Sequence, residues 1–244
     1  MLGPMTPAQD PVQEAAPTNR NAVVVDRERK LADNRVAAER LLRFIQPAAG
    51  TRVLEVGCGG AELSACLAAA GLDCWGLEPF PLYDPAIPAE RIVQAKAEAI
   101  PHPDASFDLV IAKDLLEHVE DVDAAVAELL RVSRRHVYLM SPNYLFPYEA
   151  HFKKPFLPFL PKPLARLWFR CFGCTAAQAC FIDHIRYVTK ASLLRSLRRA
   201  ARRRPLLAII DMQRAKRAVG AGWMARRFER MLNSKIELLV LTGS

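Results

Sequence analysis

Residues 53 to 64, VLEVGCGGAELS, set an acid, two spaced glycines and a helix-forming stretch directly behind a run of strand formers. Glu55 stands beside the turn. Gly57 and Gly59 let the backbone pass close to a ligand, and the helix that follows aims its first amides at the same spot. Glu78, 23 residues after Glu55, closes a second apolar run. A carboxylate there can accept two hydrogen bonds from the vicinal hydroxyls of a ribose. The chemistry open to such a set is recognition of a nucleoside ligand, either a dinucleotide such as NAD or S-adenosylmethionine. A dinucleotide loop needs a third glycine three residues after Gly59, and Glu62 stands there. Its carboxylate would oppose a pyrophosphate at the helix N-terminus. S-adenosylmethionine carries no phosphate, and its ammonium and sulfonium groups suit Glu55. Glu78 does not discriminate, because NAD sites use the same ribose contact.

These residues need elements to hold them. The sequence predicts a helix over 26–46 that ends before Pro47, then a strand at 52–56 and a helix over about 60–70 that ends at Gly71. Further strands are expected at 73–79, 91–99, 107–114 and 136–142, with a helix at 121–133 whose apolar stripe is Val122, Val126, Leu129 and Leu130. This alternation predicts an α/β fold with a doubly wound parallel sheet and helices on both faces. A helix over 189–203, with Thr189 as N-cap, and two late strands at 205–212 and 235–243 complete the chain. Residues 142–163 hold six prolines and cannot form one regular element. The expected organisation is a disordered tail over 1–20 and a single domain over 21–244. Within it, residues 142–188 form an insertion after the fifth strand that covers the substrate.

Taken in order, VLEVGCGGAELS, then GLEP, then AEAIPHPDASFDLVIAKDLLEHVED resembles the class I S-adenosylmethionine-dependent methyltransferases, over about residues 50–141. The nearest branch is the small-molecule one that includes quinone-biosynthesis O-methyltransferases. The resemblance implies a seven-stranded Rossmann-like sheet and S-adenosyl-L-methionine as cofactor. It implies that Glu55, Gly57, Cys58 and Gly59 line the methionine end, that Glu78 holds the ribose, and that Pro79 lies beside the adenine. Ala97 and Glu98 fall where the family contacts adenine, while Lys113, Leu115 and His118 fall at the mouth of the site. Lys96 stands where the family often carries an aspartate for the adenine amino group. A cation cannot accept that bond, so either Glu98 takes it over or backbone and stacking hold the ring.

Methyl transfer needs orientation, and a base when the acceptor is a hydroxyl. His151, just after the fifth strand, and His184, in DHIRYVT, are equal candidates for that base. Leu164, Leu167, Trp168 and Cys171 follow helical spacing, with Lys162, Arg166 and Arg170 on another face, as an interfacial helix requires. The expected acceptor is therefore a small hydrophobic molecule methylated on oxygen, met at the surface of an anionic membrane. The net charge is +8, and residues 190–230 hold thirteen basic against two acidic residues, which makes a nucleic-acid methyltransferase the rival reading. That segment lacks the interleaved aromatics of a base-stacking surface, so nucleic acid is not the expected partner. A non-catalytic cofactor-binding module is the third reading, disfavoured by the intact acids and glycines. Cys171, Cys174 and Cys180 lack a second ligand pair at finger spacing, so no metal is expected. The first twenty residues lack an apolar signal stretch, so the expected setting is cytoplasmic, peripheral on the inner membrane face, with reduced thiols.

Overall fold

The computed structural model describes residues 20–81, 85–144, 148–149, 154–155, 160–161, 163–165, 167, 186–212 and 235–243. In chain order the elements are α1 (Arg20–Ile45), β1 (Arg52–Val56), α2 (Glu62–Ala69), β2 (Asp73–Leu77), β3 (Ile92–Val93), β4 (Phe107–Lys113), α3 (Val122–Val132) and β5 (Ser133–Pro142). A two-stranded ribbon follows, β6 (Tyr148–Glu149) and β7 (Lys154–Pro155), then α4 (Lys190–Ala200), β8 (Leu206–Asp211) and β9 (Lys235–Thr242).

Seven strands form one sheet in the order β3-β2-β1-β4-β5-β9-β8. The five from β3 to β5 run parallel, and β9 runs antiparallel to both β5 and β8. The parallel arrangement expected from the β–α alternation holds for these five strands, and the two late strands make the sheet a mixed one. The two late strands close the edge in antiparallel sense. The chain runs from β1 out through β2 to β3, then returns to β4 on the other side. The crevice beyond the C-terminal ends of β1 and β4 is therefore the switch point of the sheet, where open α/β folds bind ligands.

Strand alternation divides the core. Val53 points to the α1 and α2 side, with Leu63, Leu67, Leu109, Ile111 and Leu41. Leu54 and Val56 point to the other side, with Val110, Ala112, Leu129, Leu193 and Leu197. Helices cover both faces, so β1 and β4 are apolar on both, and Val53, Leu54, Val110 and Ile111 are wholly buried. The caps match their residues. Asp121 Oδ1 accepts from the amides of Asp123 and Ala124, and Thr189 forms a capping box with Ser192.

The third strand is far shorter than the expected 91–99. Pro79 stops β2, so pairing is limited to Gly76 with Ile92 and Leu77 with Val93. Residues 97–99 instead form a turn, with the Ala99 amide on the Lys96 carbonyl. The first helix begins six residues earlier than the expected 26, and β5 begins at Ser133 rather than 136. The tail over 1–19 and most of the insertion over 142–188 lie outside the described residues.

Candidate functional site

The glycine loop hangs between the ends of β1 and β2. The amides of Gly57 and Cys58 both donate to the Leu77 carbonyl, at 2.7 and 3.2 Å, and the Gly59 amide donates to Glu78 Oε2 at 3.0 Å. Gly57 sits at φ +71°, and a Cβ there would stand 2.7 Å from Leu115 Cδ1. The left-handed backbone favours glycine, and a methyl group there would also have to push the end of the Leu115 side chain aside. Gly59 is also left-handed, at φ +50°, but nothing lies within 4 Å of where its Cβ would be. The wall at Gly57 is closed by the chain itself, and the space at Gly59 is open.

Glu55 is buried, and its Oε2 accepts from both the amide and the hydroxyl of Ser64, at 2.9 and 2.5 Å. Ser64 is the third residue of α2, and the helix has no side-chain cap of its own because Ala61 precedes it in a left-handed conformation. The carboxylate at the end of β1 thus serves as the cap of α2 from across the loop. Burial raises its pKa to about 7, against the Ser64 hydrogen bonds and the charge of Lys113, which lower it. Ser64 was not singled out from the sequence. Its signal is its place as the third residue of a helix whose N-cap, Ala61, cannot cap.

Cys58 is buried between the glycines, its sulfur placed where a Cβ on Gly76 would meet it at 2.8 Å. Burial pushes its thiol far up, so it stays protonated and packs as a small apolar group. Pro79 follows Glu78, and its carbonyl accepts from Gln94 Nε2. Ala97 is buried in the turn after β3. Glu98 Oε1 accepts from the amides of Glu120 and Asp121, at 2.7 and 3.3 Å, so this carboxylate braces the entry to α3. Lys96 pairs with Glu120 at 2.6 Å. The side chains of Lys96 and Glu98, expected beside adenine from the sequence, are thus already engaged with Glu120 and the entry to α3.

Beyond β4, Leu115 to His118 make a turn, with the His118 amide on the Leu115 carbonyl and His118 exposed. Lys113 lies 3.4 Å from Asp114, which also accepts from Lys235 at 3.2 Å. The sequence reading passed over Glu117. It is wholly buried, its Oε2 accepts from Ser141 Oγ at 3.2 Å, and its carbonyl accepts from the Arg186 amide at 2.7 Å. An acid inside an apolar turn was the available signal. Tyr144 and Tyr187 stack at 4.9 Å on the same side, closing the base of the insertion. The structure therefore brings Glu55, Gly57, Cys58, Gly59, Glu78, Pro79, Lys113 and Leu115 to the C-terminal ends of β1, β2 and β4, with Ala97 and Glu98 in the turn after β3 and His118 in the turn after β4. His151 and His184 lie outside the described residues, as do Lys162, Arg166, Trp168, Arg170 and the cysteines at 171, 174 and 180.

Residues 54–141 match the family model described as a methyltransferase domain. With the strand order and the loop at the switch point, this stretch is similar to class I methyltransferase domains of the S-adenosylmethionine-dependent type. The chain is 36% identical over 88 residues to a ubiquinone biosynthesis O-methyltransferase of Azorhizobium caulinodans, a match covering 33% of this chain and 35% of that one. It is 32% identical over 120 residues to an uncharacterized protein of Mycobacterium tuberculosis, covering 43% and 41%. The chain thus spans about a third to two-fifths of the curated relatives it matches. In fold it is similar to the magnesium protoporphyrin IX methyltransferase of Synechocystis solved with bound S-adenosylhomocysteine, at TM-score 0.51, 13% identity and coverage of 88% and 84%. It is likewise similar to an S-adenosylmethionine-dependent methyltransferase of Mesorhizobium loti, at TM-score 0.51, 16% identity and coverage of 84% and 97%.

Proposed function

We propose that this protein transfers the methyl group of S-adenosylmethionine to a small hydrophobic acceptor, on oxygen. The observation that carries the reading is the tie between Gly59 and Glu78 across the open side of the glycine loop, with Glu62 where a third glycine would be. In this reading the loop lies along the methionine end and Glu78 turns from the Gly59 amide to the ribose hydroxyls. Displacement at the sulfonium methyl needs little from the protein besides alignment and exclusion of water. His151 and His184, singled out from the sequence, are the candidate bases for a hydroxyl acceptor.

Oxygen as the target is supported by the relatives named as ubiquinone biosynthesis O-methyltransferases. A lipophilic acceptor is supported by Leu164 and Leu167, which are 51% and 55% exposed one helical turn apart. Lys162, Arg166 and Arg170 punctuate the same stretch, which fits contact with an anionic membrane surface. No described helix is long and apolar enough to cross a membrane. The basic run does not favour nucleic acid as the acceptor. Arg204 reaches the Arg131 carbonyl just before β5 begins, so the arginines at 202–204 sit at the opposite end of the sheet from the glycine loop.

The test is transfer of label from methyl-labelled S-adenosylmethionine into cell extract separated into lipid, small-molecule and nucleic-acid fractions. Label in an alkali-stable product of the lipid fraction is the expected outcome. Label confined to nucleic acid would replace this acceptor class with the rival one.

A further inference from the structure

We propose that Lys113 binds the carboxylate of the cofactor's methionine end and so selects a nucleoside that carries an amino acid over one that does not. This rests on the reading of S-adenosylmethionine as the cofactor.

The placement comes from strand register. Glu55 of β1 lies beside Ile111 of β4, and alternation puts Lys113 on the same face, two residues nearer the mouth. Neighbouring strands are about 4.8 Å apart and two residues advance about 6.6 Å, so the two backbones stand about 8 Å from each other at these positions. A lysine stem spans that gap. An α-amino acid carries its ammonium and carboxylate on one carbon, so its recognition needs a negative and a positive group on either side of a small space. Glu55 and Lys113 supply them in that order, beside the open space at Gly59.

The local charge leaves Lys113 able to take a second anion. Asp114 has two lysines, Lys113 at 3.4 Å and Lys235 at 3.2 Å, so the cluster carries one positive charge in excess. Lys113 is 23% exposed, so its ammonium beside Asp114 is not sealed from solvent. Its charge is also felt by Glu55, where it opposes in small part the rise that burial causes. Asp114 holds a left-handed backbone at φ +52°, with its amide on the Met140 carbonyl, so the start of the turn is fixed in place.

The experiment compares two ligands on the full chain by calorimetry. S-adenosylhomocysteine carries the amino acid, and 5′-methylthioadenosine is the same thioether nucleoside without it. Lys113→Met is expected to weaken S-adenosylhomocysteine by about ten- to a hundredfold and to leave 5′-methylthioadenosine within about twofold. Lys113→Arg keeps most of the affinity, and Lys235→Met leaves both ligands near wild type. Equal losses for both ligands in Lys113→Met, or none for either, would overturn the assignment. If wild type binds neither ligand, the cofactor reading itself falls and the role of Lys113 with it. Binding of both by wild type with no discrimination in the variant sinks the role of Lys113 alone.

Discussion

The Glu55 carboxylate holds the amide and the hydroxyl of Ser64 at once, fastening the end of β1 to the first turn of α2. One acid therefore both shapes the loop and sets its charge. The folded pKa, about 7, lies above the ordinary 4.5 because the group is out of water. Its contribution to stability is complete below about pH 4.5 and is lost as pH rises through about 7. Glu55→Gln should remove that loss, flattening the fall in stability between pH 5 and 8 by at most about 3 kcal/mol. Denaturant midpoints of the two proteins across that range check it. A cationic ligand favours the ionised form, so S-adenosylmethionine affinity should rise with pH through 7 in wild type and not in the variant. Parallel pH curves for the two proteins would remove Glu55 from both roles.

Gly57→Ala should abolish cofactor binding and lower stability by about 1–3 kcal/mol, through its left-handed backbone and the clash with Leu115. The double variant Gly57→Ala, Leu115→Ala should recover part of the stability, because the clash is relieved while the backbone strain stays. Thermal melting of the three variants checks this. No recovery in the double variant would show that the contact at 2.7 Å carries no cost.

Glu78→Ala should weaken S-adenosylhomocysteine by about ten- to a hundredfold by losing charged hydrogen bonds to the ribose. It should also loosen the loop at Gly59, read as faster amide exchange there, since its oxygen holds that amide in the free protein. An unchanged dissociation constant in a folded variant would place the ribose elsewhere.

Liposome co-sedimentation checks the membrane contact. Three basic residues near an anionic surface contribute about 3 kcal/mol, enough for reversible binding that salt weakens. Wild type should sediment with acidic vesicles at low salt, and a Leu164→Glu, Leu167→Glu variant should stay in solution. Wild type in the supernatant would leave the exposed leucines to another contact.

The central elements were legible because their residues answer to local rules. The strand at 52–56 was read to the residue, and Thr189 is the cap that its sequence announces. The glycine loop was legible because Gly57 and Gly59 adopt a backbone that few other residues can. What escaped was decided by partners distant in sequence. The length of β3 depends on where Pro79 stops β2, and the direction of β9 depends on which neighbour it meets. The capping of α2 by Glu55 escaped because acid and amide are nine residues apart, and the ties of Glu98 to Glu120 and Asp121 span a gap of 22 and more. Glu117 looked like part of an ordinary turn until the end of β5 was laid against it.

Calorimetry of the full chain with S-adenosylmethionine, S-adenosylhomocysteine and NAD tests the central claim most directly. The loop at Gly57 and Gly59, with Glu62 in place of a third glycine and Glu55 at its base, predicts saturable binding of both sulfur nucleosides and no heat with NAD. Saturable binding of NAD, with no response to either sulfur nucleoside, would contradict it.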